Sequence, residues 1–258
     1  MRFDEVVRRL RAAGCVFAED EAQLLVEAAD TPQDLATMLD QRVLGRPLEH
    51  VVGWAEFCGR RYVVEPGVFV PRRRTEFLVE HAATLTRPGA VVVDLCCGSG
   101  AMGAALAGLA GPVELHAADV DPAAVRCARR NVEGAVYEGD LFDALPATLR
   151  GRIDLLLANV PYVPTGEIEL MPPEARLYEA PVALDGGADG LDVLRRVAAA
   201  APPWLAPGGH LLSETGEHQV PAAVAAFAAA GLDARVATDP DRGATVIVGT
   251  NPGSHRNR

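Results

Sequence analysis

The first fifty residues carry apolar positions at helical spacing. An apolar residue recurs every three to four positions over residues 3–10, which predicts an amphipathic helix. A second apolar segment covers residues 22–28. A third begins at Thr31-Pro32, where Thr31 is a candidate N-cap and Pro32 suits the first helical position. The pattern predicts a helical domain over residues 1–50, which either packs on the rest of the chain or holds a macromolecular substrate.

A strand-like region follows these helices. Short apolar or aromatic runs lie at residues 54–57, 62–64 and 68–70, and Gly59 separates the first two. Such runs, broken by a glycine, are typical of a β-hairpin. We therefore expect residues 51–75 to form a hairpin linker.

From Val91 onward, short buried strands alternate with helices. Repeated β–α alternation predicts the α/β class, with a doubly wound, mostly parallel sheet over residues 76–250. The polar tail of residues 251–258 is expected to be disordered. The strands are predicted at residues 91–93, 113–118, 135–137, 153–158, 210–213 and 246–248.

The first strand leads into a loop that is typical of nucleotide-binding sites. Glycines let a ligand approach the backbone closely, and the following helix offers free N–H groups at its N-terminus. Gly98, Gly100 and Gly103 fit the Gly-x-Gly-x-x-Gly spacing, which would also suit a dinucleotide. Asp94, at the end of the strand, instead favours a ligand with a cationic amino-acid end, such as S-adenosylmethionine.

Two further acidic residues follow later strands. Asp119 lies about 25 residues beyond Asp94, a distance at which a carboxylate can accept hydrogen bonds from both ribose hydroxyls. Asp140 follows the third strand and could meet the adenine amino group. Together the three carboxylates favour S-adenosylmethionine as the cofactor.

The strand at residues 153–158 ends in a polar and aromatic tetrapeptide, Asn159-Val160-Pro161-Tyr162. Ligands of open α/β sheets bind beyond the carboxyl ends of the strands. The side-chain oxygen of Asn159 and the main-chain carbonyl of Val160 can accept both hydrogens of an NH2 group, and the ring of Tyr162 can pack on its plane. The sequence therefore predicts methyl transfer to a planar NH2 group.

Composition restricts the partners, the metal content and the cellular location that we expect. The net charge of -11 argues against broad adherence to nucleic acid or to an anionic membrane. The five cysteines lack a disulfide-framework spacing, and Cys96-Cys97 has no second Cys/His cluster that would complete a zinc site. No signal peptide and no apolar run of roughly 18 residues is present. We expect a cytoplasmic protein without a metal.

Taken together, the motifs resemble those of class I S-adenosylmethionine-dependent methyltransferases. They are most similar to the release-factor glutamine methyltransferases (the HemK/PrmC family), which are protein N5-glutamine methyltransferases, over about residues 20–250. The shared motifs are Leu44-Gly45-Arg46-Pro47-Leu48, Gly53 with Glu56-Phe57, Pro71-Arg72 with Thr75-Glu76, the loop from Asp94 to Gly100, Asp119, Asp140, Asn159 with Pro161-Tyr162, Tyr178-Glu179 and Gly208-Gly209.

The resemblance implies a seven-stranded, Rossmann-like sheet and S-adenosylmethionine as the cofactor. As the partner it implies a peptide chain release factor, methylated on the glutamine of its Gly-Gly-Gln loop. Catalytic roles are expected for Asn159, Pro161 and Tyr162. Cofactor contacts are expected from Asp94, Cys96, Gly98, Gly100, Asp119, Val120, Asp140, Leu141 and Asn159. Substrate contacts are expected from Asn159, Val160, Pro161, Tyr162 and Glu179.

Three features depart from the family pattern. Val160 stands where the family usually has a second proline, which returns a backbone N–H to the loop. Cys96 replaces the first glycine of the motif. The helical region before Leu44, which helps family members to grip the release factor, is shorter than usual. The last departure bears on the macromolecular substrate more than on the chemistry.

Other acceptors would suit the same tetrapeptide. An N6-adenine methyltransferase on nucleic acid is one alternative, because the adenine N6 is also a planar NH2 group. A small-molecule N-methyltransferase is another, which the short N-terminal region favours. The arginines between positions 60 and 74 favour nucleic acid, whereas the net charge of -11 argues against it. A non-catalytic cofactor-binding module is a further alternative, against which the intact Asn159, Pro161 and Tyr162 argue.

Overall fold

The computed structural model describes residues 1–253 and begins with four helices. Thr31 caps the third helix as predicted, since its Oγ1 accepts the N–H of Asp34 at 3.1 Å. Apolar side chains such as Leu10, Leu25 and Leu39 are fully buried in a cluster that belongs to these helices alone. The helices are α1 (Phe3–Ala12), α2 (Ala18–Ala28), α3 (Pro32–Val43) and α4 (Leu48–Val52).

The predicted hairpin follows, with one difference. Strands β1 (Trp54–Phe57) and β2 (Arg60–Val63) pair antiparallel. The run at residues 68–70, which the sequence also marks as strand-like, is irregular. Its main-chain groups bond to side chains instead: the carbonyl of Val68 lies 2.8 Å from a ring nitrogen of His50. A buried irregular segment is tolerated when its polar groups are satisfied in this way.

The rest of the described chain forms the expected seven-stranded, mostly parallel sheet. Its strand order is β5-β4-β3-β6-β7-β9-β8. The pairs from β5 to β7 are parallel, and β9 runs antiparallel to both β7 and β8. The strands are β3 (Val91–Leu95), β4 (Glu114–Asp119), β5 (Ala135–Glu138), β6 (Ile153–Ala158), β7 (Leu205–Glu214), β8 (Asp233–Asp239) and β9 (Ala244–Thr250).

Helices cover both faces of this sheet, so its central strands are apolar on both sides. Side chains alternate along a strand: Val92 belongs to one core cluster and Val93 to the other. None of the helices in residues 1–253 has the length and apolarity needed to cross a membrane. The remaining helices are α5 (Glu76–Leu85), α6 (Ala101–Ala110), α7 (Pro122–Asn131), α8 (Pro173–Tyr178), α9 (Asp192–Ala200) and α10 (Val220–Ala229).

The sheet continues slightly past its predicted end. The main chain of Asn251 accepts the N–H of Gly208 and donates to the carbonyl of Gly209, both at 2.8 Å. Its side-chain amide donates to the carbonyl of Leu205 at 3.1 Å. The beginning of the predicted disordered tail is therefore held against β7. Residues 254–258 of that tail lie outside the described residues.

Candidate active site

A large cavity opens beyond the carboxyl ends of the parallel strands. It encloses about 1320 Å³ of empty space, including the part that is open to solvent. It lies beyond β3, from which the strand order continues in opposite directions, to β4 on one side and to β6 on the other. Doubly wound sheets bind ligands at such a switch point. The predicted site residues on its wall are Cys96, Gly98, Asp119, Val120, Asp140, Leu141, Asn159, Val160, Pro161 and Tyr162.

The loop after β3 turns sharply towards this cavity. Cys96 and Gly98 both have a φ of 55°, in the left-handed region that favours glycine. Gly100 was expected to contact the cofactor, but it is not part of the wall. Its φ is 76°, and an added Cβ would lie 2.6 Å from Cγ2 of Val132. Gly100 therefore allows close packing against the segment after α7.

Asp94 lies behind this loop and is fully buried. Its Oδ2 accepts the N–H of Gly103 at 2.9 Å, whereas its Oδ1 has no hydrogen-bond partner within the described chain. Burial raises the pKa of Asp94 to about 8, the N–H of Gly103 opposes this, and the charge of Asp119 adds to it. Asp94, which was expected to contact the cofactor, is not part of the cavity wall, but it has an oxygen without a partner behind the loop.

Asp119 is oriented by main-chain donors. Its Oδ2 accepts the N–H of Gly98 and its Oδ1 the N–H of Asp121, each at 2.9 Å. Burial raises the pKa of this carboxyl group, and the two N–H donors act in the opposite direction. Each oxygen keeps a further lone pair, so the carboxylate can still accept hydrogen bonds from the cavity.

Asp140 meets a residue that the sequence analysis missed. Arg196, from α9, donates to Oδ2 of Asp140 at 2.6 Å, and both residues are on the cavity wall. Next to Asp140, Leu141 has a φ of 49°, which fixes a sharp turn there. Because 56 residues separate the pair along the chain, no local pattern indicates the contact.

The tetrapeptide after β6 is held at both ends. The hydroxyl of Ser213 donates to the carbonyl of Ala158 at 2.7 Å, and the side-chain amide of Gln219 donates to the carbonyl of Tyr162 at 2.9 Å. Gly190 packs against the same carbonyl, from which an added Cβ would be only 2.2 Å away. Between these anchors, Oδ1 of Asn159 is buried and has no partner within residues 1–253.

Tyr162 belongs to a cluster that the sequence did not predict. Its hydroxyl donates to Oε1 of Glu214 at 2.9 Å and accepts a hydrogen bond from Arg74. Arg74 also donates from Nε to Oε1 of Glu214 at 2.8 Å. Burial raises the pKa of Tyr162 to about 12, and the charge of Glu214 adds to this, so the hydroxyl stays protonated at neutral pH.

Glu179 was expected to contact the substrate, but the structure does not bring it to the cavity wall. Its side chain is buried and accepts hydrogen bonds from Arg72 on both oxygens, each at 2.7 Å. The N–H of Val70 donates to the same carboxylate at 3.1 Å. Burial raises the pKa of Glu179, and the charge of Arg72 opposes this. Glu179 thus ties the segment after α8 to the linker.

The cysteines at the cavity are thiols. Burial raises the pKa of both Cys96 and Cys97, with the nearby aspartates adding to the effect. Neither forms a disulfide. In the part of the chain that the structure describes, no group of three His, Cys, Asp or Glu side chains is placed to hold a metal ion.

Comparison with known proteins identifies the family. A family model described as the methyltransferase small domain matches residues 61–190. A release factor glutamine methyltransferase of Geobacter sulfurreducens is 39% identical over 219 residues, covering 81% of this chain and 76% of that protein. The 4-amino-L-phenylalanine/4-methylamino-L-phenylalanine methyltransferase of Streptomyces pristinaespiralis is 35% identical over 243 residues, covering 90% of this chain and 82% of that protein.

A solved structure supports the same fold. A methyltransferase from Pyrococcus furiosus superposes with a TM-score of 0.58 at 17% identity, covering 82% of this chain and 97% of that one. At this identity the likeness concerns the fold alone. The extent and identity of the sequence matches decide the relationship: this chain belongs to the release factor glutamine methyltransferase family of S-adenosylmethionine-dependent enzymes.

Proposed function

We propose that this chain methylates the side-chain amide nitrogen of a protein glutamine, in the Gly-Gly-Gln loop of a peptide chain release factor. The Geobacter sulfurreducens relative is named for that reaction. The observation that carries the proposal is the buried Oδ1 of Asn159, which lies on the cavity wall and has no partner among the described residues. A buried acceptor without a donor costs free energy, so the site favours a ligand that brings an N–H. Because release factors act at the ribosome, the reaction would take place in the cytoplasm.

The tetrapeptide offers two acceptors to a planar amide. Oδ1 of Asn159 would accept one N–H and the main-chain carbonyl of Val160 the other, while the ring of Tyr162 packs on the amide plane. An amide nitrogen is a weak nucleophile because its lone pair is delocalised into its own carbonyl. Fixing its orientation therefore contributes much of the rate. As positive charge develops on the nitrogen, the two oxygens stabilise it, and the proton can leave afterwards.

The carboxylates at the ends of β3, β4 and β5 fit S-adenosylmethionine. When bound, this cofactor supplies an electrophilic methyl group. The free oxygen of Asp94 would accept a hydrogen bond from its ammonium group, and Asp119 from its ribose hydroxyls. Asp140, held by Arg196, would accept one from the adenine amino group. The unpartnered Oδ1 of Asp94 supports this assignment, because it is buried and has no donor in the described chain.

A second candidate function is methylation of a small amine such as 4-amino-L-phenylalanine. The Streptomyces pristinaespiralis relative is named for that activity and matches 90% of this chain, against 81% for the Geobacter sulfurreducens relative. An aromatic amine also presents a planar NH2 group, so the acceptors beyond β6 would suit it equally well. The two candidates differ in the acceptor alone.

The test is a methyl-transfer assay with radiolabelled S-adenosylmethionine. Wild-type enzyme is given a release factor, the same release factor with its loop glutamine replaced by alanine, or 4-amino-L-phenylalanine. We expect label on the release factor that keeps its glutamine. Asn159→Ala should lower kcat/KM by about 100-fold, because it removes an acceptor that acts on charge formed in the transition state. Calorimetry with the cofactor would show that the variant is folded.

Two outcomes would contradict the proposed acceptor, and a third would contradict the role of Asn159. Label on the alanine form of the release factor would exclude the loop glutamine as the acceptor. Transfer to 4-amino-L-phenylalanine alone would support the second candidate. Near-normal turnover by Asn159→Ala would reject the role of that amide while leaving the reaction itself in place.

A further inference from the structure

Three side chains from distant parts of the chain meet beside the acceptor tetrapeptide. Arg74 comes from the linker before α5, Tyr162 follows β6, and Glu214 ends β7. Oε1 of Glu214 accepts hydrogen bonds from the hydroxyl of Tyr162 at 2.9 Å and from Nε of Arg74 at 2.8 Å. Arg74 also donates to the tyrosine hydroxyl. Each side chain therefore contacts the other two.

The environment makes these bonds strong. The side chain of Glu214 is 2% exposed, whereas that of Arg74 is 45% exposed and lies on the cavity wall. Hydrogen bonds with an ionised partner are roughly twice as strong as neutral ones. The guanidinium group is planar and has several donors, so Arg74 can bind the hydroxyl and the carboxylate together. A lysine donates from one nitrogen only, so it cannot reproduce the geometry in which Nε and Nη2 of Arg74 make separate contacts.

The cluster fixes the ring of Tyr162 at its far end. The main-chain carbonyl of Tyr162 is already held by Gln219 at 2.9 Å. Holding the hydroxyl as well restrains χ1, because a change of χ1 would swing the hydroxyl away from both of its partners. A ring that is held in position before the acceptor arrives reduces the entropy lost on binding and helps to keep the acceptor oriented. Glu214 is not on the cavity wall, so it can influence the acceptor only through its neighbours.

We infer that Arg74 and Glu214 are positioning residues, which hold the ring of Tyr162 against the acceptor group during methyl transfer. This inference rests on the proposed function, because that function assigns Tyr162 to the acceptor. It adds two residues to the acceptor site and none to the cofactor site. Loss of either contact should therefore impair use of the acceptor and leave cofactor affinity unchanged.

A double-mutant cycle separates this role from simple structural support. Tyr162→Phe keeps the ring but removes the hydroxyl, and Arg74→Gln keeps a polar side chain but removes the fork. Each should lower kcat/KM for the acceptor by about tenfold. The double variant should lose little more than the worse single variant, because both changes release the same ring. Arg74→Lys should recover only part of the loss.

Arg73→Gln is the matched control. Arg73 is the exposed neighbour of Arg74, is not on the cavity wall, and has no ion pair or side-chain hydrogen bond within residues 1–253. Its replacement should leave kcat/KM and cofactor affinity at wild-type values. Losses that multiply in the double variant would overturn the inference. A parallel loss of cofactor affinity, or an equal loss in Arg73→Gln, would also overturn it.

A second measurement does not depend on the acceptor. Tyrosine labelled with ¹³C at Cζ reports the hydrogen bonding of each hydroxyl by NMR at neutral pH, and Tyr162→Phe assigns the relevant signal. Glu214→Gln and Arg74→Gln should both shift that signal, and Arg73→Gln should not. If wild-type enzyme methylates no release factor, the proposed function fails, and an unshifted signal would reject the cluster independently.

Discussion

At the scale of single residues, Asp94 couples the protonation state of the protein to cofactor binding. Burial raises its pKa to about 8, so the free enzyme keeps this carboxyl group largely protonated near pH 6. A cofactor ammonium beside it would favour the charged form. Binding should therefore release a proton, and affinity should rise between pH 6 and pH 7.5, by at most about tenfold per pH unit.

Calorimetry in buffers of different ionisation enthalpy would measure that proton release. Asp94→Asn should bind the cofactor weakly and show no such pH dependence in this window.

The pH dependence of folding stability has the opposite sign to that of cofactor affinity. Because the folded pKa of Asp94 lies above the ordinary value of 3.8, the stability it contributes is complete below about pH 4 and is lost as pH rises towards 8. The melting temperature of Asp94→Asn should gain on that of wild type from pH 5 to pH 8; a constant difference would contradict the raised pKa.

A second residue-scale prediction concerns the two adjacent cysteines. Cys96 has a φ of 55°, a conformation that costs a residue with a Cβ roughly 1 to 2 kcal/mol. Cys97 has no such positive φ. Cys96→Gly should therefore unfold with a free energy about 1 kcal/mol higher than that of Cys96→Ala. At Cys97 the order should reverse, with glycine less stable than alanine. Urea denaturation of the four variants checks this, and the same order at both positions would contradict it.

At the scale of elements, one arginine joins the N-terminal helices to α8, which follows a residue of the cavity wall. Arg42 in α3 donates to Glu21 in α2 and to Glu174 in α8, each at 2.6 Å, and its side chain is only 9% exposed. Met171, which precedes α8, lies on the cavity wall. The N-terminal helices therefore support part of the site wall, whatever their role in holding a substrate.

The two partners of this contact should differ greatly in their contribution to stability. Arg42→Met leaves the nearly buried Glu21 without its counter-ion and should lower the free energy of unfolding by about 3 kcal/mol. Glu174 is 47% exposed, so Glu174→Gln should cost less than about 1 kcal/mol. Urea denaturation gives both values. Equal costs for the two variants would show that burial does not govern this network.

Sequence patterns predicted the elements that are apolar on both faces. β6 occupies residues 153–158 as expected. A capping residue next to proline was a second reliable signal, since Thr31 caps α3 as predicted. The edge strand β8 was missed because all seven of its residues are exposed or partly exposed, so buried and exposed positions do not alternate clearly. The six-residue helix α8 was missed because it is too short for a helical period to show.

At the scale of the whole molecule, the order of motifs carried more information than any single motif. Local patterns placed Asp119, Asp140 and Asn159 at strand ends, and the fold brings all three to one cavity. They could not reveal Arg74 beside Glu214, because the contact joins residues 140 positions apart and depends on tertiary packing. Local patterns also could not reveal that the carboxylate of Glu179, which a shared motif suggested as a substrate contact, is bonded to Arg72.

The anchoring of the acceptor tetrapeptide has a consequence for biosynthesis. Ser213, Glu214 and Gln219 hold it, and all three are translated long after the cofactor loop at Asp94. From Asp94 to Glu214 is 214 − 94 = 120 residues, which takes roughly 6 to 24 s at 5–20 residues per second. Over that interval the growing chain has the first strand of the cofactor site but lacks the residues that hold its acceptor tetrapeptide. The acceptor site can therefore form only after Gln219 has been synthesised.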